Sequence, residues 1–166
     1  MKAVLISIRP KWCEKIASGE KKIEVRKTRP KLQTPFKCYI YCTLPRYPHE
    51  DFIETDYPKP QFYGGGKVIG EFTCNRVTNL FSNSRFWLDE DDILHTCLSA
   101  AEMRKYANGA NGLYGWHISN LKIYDKPREL ASLTGLRATR FGAAPYDIKR
   151  PPQSWCYVEE TDNDKT

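Results

Sequence analysis

The first 27 residues restrict the fold more than any other stretch of this chain. Residues 2–8 (KAVLISI) form a short apolar run rich in β-branched side chains, which predicts a strand. Pro10 suits the first turn of a helix, and Trp12, Cys13, Ile16 and Ala17 follow at helical spacing. Gly19 is a stop signal for that helix. Residues 22–26 (KIEVR) then alternate polar with apolar, predicting a second strand. Ile23 and Val25 would turn to the core, with Lys22, Glu24 and Arg26 on the opposite face. This order brings polar groups from two ends of the unit into nearly the same space. Arg9 and Lys11 leave the first strand, while Lys21, Glu24 and Arg26 flank the next.

Further along, residues 36–42 (FKCYIYC) read as a strand. Between 45 and 66 the chain carries Pro45, Pro48, Pro58, Pro60 and three successive glycines, an excursion closed by a hairpin-like return. Strand character resumes over 67–79, with Gly70 a candidate bulge. Residues 89–108 read as helical, with acidic residues at the start and Asn108-Gly109 as the stop. Residues 113–124 predict two strands or one bent strand, and 129–133 a short helical turn. Residues 135–152 show little periodicity, though Arg137, Arg140, Lys149 and Arg150 make them basic. A last strand is expected at 155–158, then an acidic, flexible tail over 159–166. A length of 166 residues suits one domain, expected to span 1–158. Short strands interrupted by short helices predict an α+β fold, a small mixed β-barrel rather than a doubly wound parallel sheet.

Charge is placed unevenly. Residues 1–46 hold 12 Lys and Arg against 3 Asp and Glu, whereas residues 47–166 hold 14 against 17. A basic N-terminal third suits a polyanion such as RNA or DNA, or equally a solvated charged face. The six cysteines are scattered, mostly in apolar segments, and read as buried thiols rather than a disulfide framework. Cys38 and Cys42 have no second ligand pair nearby, so no metal site is expected. No cofactor is expected either: Gly64-Gly65-Gly66-Lys67 lacks the spacing and following helix of a phosphate loop, and no dinucleotide fingerprint is present. No apolar run approaches the roughly 18–20 residues that span a bilayer, and the N-terminus lacks a cleavage signal. The expectation is a cytoplasmic protein with no membrane contact.

The pattern Gly19-x-Lys21-x-x-Glu24-x-Arg26, preceded by its strand and helix, resembles the GxKxxExR signature of ASCH domains. The likeness covers about residues 3–27. It implies a PUA-like β-barrel with a cleft lined by Lys21, Glu24 and Arg26, in a family whose members bind RNA or other nucleic acid and are in some cases enzymes. One enzymatic branch deacylates acetylated cytidine with a lysine, a threonine nucleophile and a distant glutamate. Lys21 fits the lysine, but Glu24 stands where the threonine should be. A carboxylate is not that nucleophile, although it can activate water. Other members cleave RNA, for which Lys21 and Glu24 offer an acid–base pair.

Three functions remain open from the sequence. The first is a binding module for RNA, single-stranded nucleic acid or a modified nucleotide. Arg9, Lys11, Lys21, Arg26 and Arg150 would hold phosphate, Glu24 would orient a base or the cations, and Trp155 would stack. The second is a hydrolase acting on a modified nucleoside or RNA through Lys21 and Glu24. The third is a protein-interaction module using the 45–66 excursion. Without the resemblance, Lys21, Glu24 and Arg26 would read as a ladder of exposed ion pairs, each contributing about 0–1 kcal/mol. Trp12 and Trp116 read as core rather than platform, His117 as a packed histidine, and His95 and His49 as residues without convergent partners.

Overall fold

The computed structural model describes residues 1–44, 65–82, 85–86 and 90–161. Most of the 45–66 excursion, His49, Asp89 and the end of the acidic tail lie outside the described residues. Among the described residues, nine strands and three α-helices follow in the order β1 (Lys2–Ile8), α1 (Pro10–Ala17), β2 (Ile23–Arg26), β3 (Phe36–Cys42), β4 (Lys67–Ser82), β5 (Arg85–Phe86), α2 (Glu90–Thr96), α3 (Ala100–Ala107), β6 (Gly112–Arg128), β7 (Thr134–Thr139), β8 (Gly142–Asp147) and β9 (Trp155–Glu159). A single 3-10 turn, Leu130–Ser132, precedes β7. The class is α+β. The strand path is β2-β6-β4-β3-β1-β9-β7-β8, with β5 on β4. Among the described residues this path runs from β2 to β8 without a pairing that closes it into the expected barrel.

The chain divides into two compact units, one of residues 1–14, 37–72 and 122–166, the other of residues 15–36 and 73–121. In the first unit β1 runs parallel to β3 and antiparallel to β9. Its core gathers Ala3, Leu5, Tyr39, Tyr41, Val68, Leu133, Ile148 and Val158. Six successive residues of β1 are buried, which is why its sequence is a continuous apolar run rather than an alternation. The C-terminal segment is tied in: the Glu160 N–H donates to Met1 O, the Thr161 N–H to Tyr39 Oη, and Lys37 Nζ lies 3.7 Å from Glu160. Lys37 also pairs with the buried Glu71, whose other oxygen accepts from Tyr124 Oη.

In the second unit β2 pairs antiparallel with β6, matching Glu24 to Trp116 and Arg26 to Tyr114. Its core is Val25, Leu80, Met103, Ala107 and Leu113, and Trp116 stands edge-on to Phe36 at 5.9 Å. Gly19 ends α1 at φ +82°, a conformation that costs glycine nothing, and its N–H donates to Ile16 O.

Three stretches differ from the sequence reading. The single helix expected over 89–108 is two, because Cys97 turns left-handed at φ 58° and Ser99 starts α3 with a capping box closed by Glu102. Residues 134–147, which carry no periodic signal, are a hairpin with Arg140 and Phe141 between the paired Thr139 and Gly142. Most of its side chains are exposed, so burial imposes no alternation on them. Gly70 answers to close backbone approach: a Cβ there would lie 2.4 Å from Lys122 O on β6. The alternatives at 113–124 resolve into one strand, β6, with Asn120 at φ 47°. No helix among the described residues is long and apolar enough to cross a membrane.

Cys13, Cys38, Cys42 and Cys74 are buried thiols, while Cys97 and Cys156 are half-buried. Burial pushes the Cys74 thiol up to about 11. A thiol-specific reagent at pH 8 should therefore label Cys97 and Cys156 in the native protein and reach all six only after denaturation. Rapid native labelling of Cys74, read by peptide mapping, would contradict this packing.

Candidate functional site

Lys21, Glu24 and Arg26 come together in the second unit. The turn after Gly19 is fixed by the Lys21 N–H donating to Lys15 O and the Lys22 N–H donating to His95 O, each at 2.9 Å. The Lys21 side chain donates to Thr96 O at 2.6 Å, at the end of α2, and lies 3.4 Å from Glu24 Oε2. Arg26 puts two guanidinium nitrogens on Glu24 Oε1, Nε at 3.0 Å and Nη2 at 2.8 Å. Glu24 Oε2 is sealed from water and makes no hydrogen bond. The Lys21 ammonium is its neighbour of opposite charge.

These residues are not a solvated ladder. Lys21 is 3%, Glu24 5% and Arg26 7% exposed, and all four residues of β2 are buried. From Ile23 to Arg26 the alternation thus marks a strand covered on both faces, with Glu24 and Arg26 covered by protein and Lys22 exposed just before it. Glu24 stands between two cations, Lys21 at Oε2 and Arg26 at Oε1. Tyr106 on α3 stands within electrostatic reach: burial raises its phenol pKa, the Arg26 charge opposes this and the Glu24 charge adds to it. Lys27 Nζ lies 5.2 Å from the centre of the Tyr106 ring.

Solved structures show which fold holds these residues. The crystal structure of ASCH from Zymomonas mobilis matches 95% of this chain and 88% of its own, at a TM-score of 0.56 and 18% identity. Two mutant forms of the same protein match 95–96% of this chain and 89–92% of theirs, at a TM-score of 0.57 and 17–18% identity. The fold is that of the ASCH domain. No protein-family model matches the sequence, and no curated protein is significantly similar to it. In this ASCH fold the signature residues Lys21, Glu24 and Arg26 lie on β2 and the turn before it, with Gly19 supplying the left-handed stop.

The remaining sequence-derived candidates of the ASCH fold lie in the first unit. Ser7 fixes their surroundings: its N–H donates to Ser154 O at 2.9 Å and its hydroxyl to Pro152 O at 2.6 Å. That pins the 150–155 segment beside the end of β1, from which Arg9 and Lys11 follow. Arg9, Lys11 and Arg150 are exposed. Lys11 Nζ sits 4.7 Å from the Trp12 ring centre, and Trp155 is half-buried, edge-on to Tyr157 at 5.3 Å. Trp116 is fully buried, as a core tryptophan.

Two features were not anticipated from sequence. Phe141, at the tip of the β7–β8 hairpin, is 87% exposed with Arg140 stacked at 4.6 Å from its ring centre. In the second unit a concavity of about 490 Å³ brings His95 and His117 together with Lys22, Arg76 and Asp92. His117 is half-buried rather than packed away, with Nε2 3.0 Å from Thr78 Oγ1 and Nδ1 3.3 Å from Arg76. The α2 turn and the β4–β6 pairing create this convergence across distant positions, so only the isolated polar side chains were visible in sequence.

Proposed function

We propose that this chain binds single-stranded RNA or a modified nucleotide. The observation that carries the reading is the set of exposed cations Arg9, Lys11 and Arg150 in the first unit, where Ser7 pins the 150–155 segment beside the end of β1. Exposed cations of this kind attract phosphate, and the basic balance of residues 1–46 adds to the attraction. In the first unit, exposed Arg9, Lys11 and Arg150 are suited to hold phosphate, and the Trp155 ring offers part of a face for stacking. Phe141 adds an open aromatic face beside Arg140.

The hydrolase reading uses the same Lys21–Glu24 contact. Burial of both side chains favours binding over turnover, since an acid–base pair must reach its substrate. Incubating the protein with a short unstructured RNA and a panel of modified nucleosides, read by mass spectrometry, separates the two. Retention of intact RNA, weakened several-fold by Arg9→Ala or Arg150→Ala, is the expected result. Conversion of any component to product would replace the binding function with a hydrolytic one, and no retention would remove the proposal.

A further inference from the structure

The concavity of the second unit contains a constellation that the RNA-binding reading does not use. Lys22 and Arg76 bring two permanent cations to it and Asp92 one carboxylate, with His95 and His117 between them. About 490 Å³ is within the usual range of small-ligand sites. Among the described residues no three His, Cys, Asp or Glu side chains form a metal-ligand set, so the chemistry here is that of cations and imidazoles.

The hydrogen bonds define the state of His117. Arginine can only donate, so the 3.3 Å contact makes Nδ1 the acceptor. The neutral ring then carries its proton on Nε2 and donates it to Thr78 Oγ1 at 3.0 Å. We propose that this concavity is a binding site for a phosphate monoester, in which Arg76 and Lys22 hold the dianion and His117 takes up a proton as it binds. A dianion is the ligand for which proton uptake by His117 balances charge. Lys22 and Arg76 against Asp92 leave one formal positive charge, which a dianion turns into one negative charge. Protonation of His117 restores neutrality. When the Arg76 guanidinium turns to a phosphate oxygen, Nδ1 is released to accept that proton and donate it to the ligand.

The groups facing His117 from each element agree with this coupling. Burial and then the Arg76 charge from β4 lower its pKa, with His95 on α2 adding to the lowering and Asp92 on α2 opposing it. Drawing Arg76 onto an anion weakens one of the forces that keep the imidazole neutral. Binding should therefore tighten from pH 8 towards pH 6.5, where the monoester is still partly dianionic.

This site does not depend on the RNA-binding proposal. Inorganic phosphate is the first probe, titrated into the full chain while the histidine ring resonances are followed by NMR. Saturable shifts of His95 and His117 are expected, with the His117 pKa rising in the bound form and Arg76→Ala weakening binding at least tenfold. Arg76 and Lys22 are exposed, so their alanine variants keep the core intact. Calorimetry in two buffers of different ionisation enthalpy should show net proton uptake. Absence of saturable shifts, unchanged binding by Arg76→Ala, or binding without proton uptake would each overturn the proposal. A 5′-phosphorylated oligonucleotide compared with its 5′-hydroxyl counterpart then identifies the source. Preference for the phosphorylated end supports a nucleic-acid terminus, and phosphate or mononucleotide binding without that preference supports a free small molecule. Equal proton-coupled binding of the 5′-hydroxyl strand at this site would overturn the monoester assignment. If long RNA is not retained while inorganic phosphate still binds, the RNA reading falls and this one stands.

Discussion

Replacing Glu24 by alanine should destabilise the protein by about 3–5 kcal/mol, the cost of leaving buried charges uncompensated. Glu24 bridges the two cations: Arg26 places two nitrogens on Oε1, and Lys21 faces Oε2. Removing it leaves like charges facing each other at side-chain exposures of 2% and 9%. The loss should lower the thermal midpoint by about 10 °C or more for a chain of this size. Urea unfolding of wild type and Glu24→Ala checks the value. A loss below about 1 kcal/mol would mean that the group behaves as an exposed ion pair.

Gly70→Ala should be the second most damaging single change, destabilising the fold by about 3 kcal/mol, at the upper end for overpacking. An added Cβ would lie 2.4 Å from Lys122 O and 3.1 Å from Ile123 Cα. Both obstacles are backbone atoms of β6, so no rotamer change makes room. Gly70 is itself buried in β4. Denaturant midpoints of the two proteins measure the effect, and unchanged stability would contradict the close approach of β4 and β6 at this position.

How much could be read beforehand follows from where each element gets its order. The strand, helix and glycine stop of residues 2–19 are local, and Pro10 and Gly19 sit where proline starts and glycine ends a helix. The break at Cys97 was also locally encoded, since Ser99 and Glu102 have the spacing of a capping box. The hairpin of 134–147 was hidden because its pairing sets the strands while most of its side chains stay exposed. At the candidate site, Lys21, Glu24 and Arg26 were legible as a group because four residues of β2 and its preceding turn place them together. Their burial was not: it depends on Thr96, Tyr114 and Tyr106, about 70–90 positions away. The meeting of His95 with His117 is likewise a product of tertiary contact, carried by the Lys22 N–H on His95 O and the Ile118 N–H on Lys22 O.

Binding of a fluorescent single-stranded RNA as a function of salt tests the central claim most directly. Three phosphates held by Arg9, Lys11 and Arg150 predict a slope of log affinity against log salt of about −2. That is a loss of about 15-fold between 50 and 200 mM salt. Absence of binding at low salt, or binding that does not change across that range, would contradict the account.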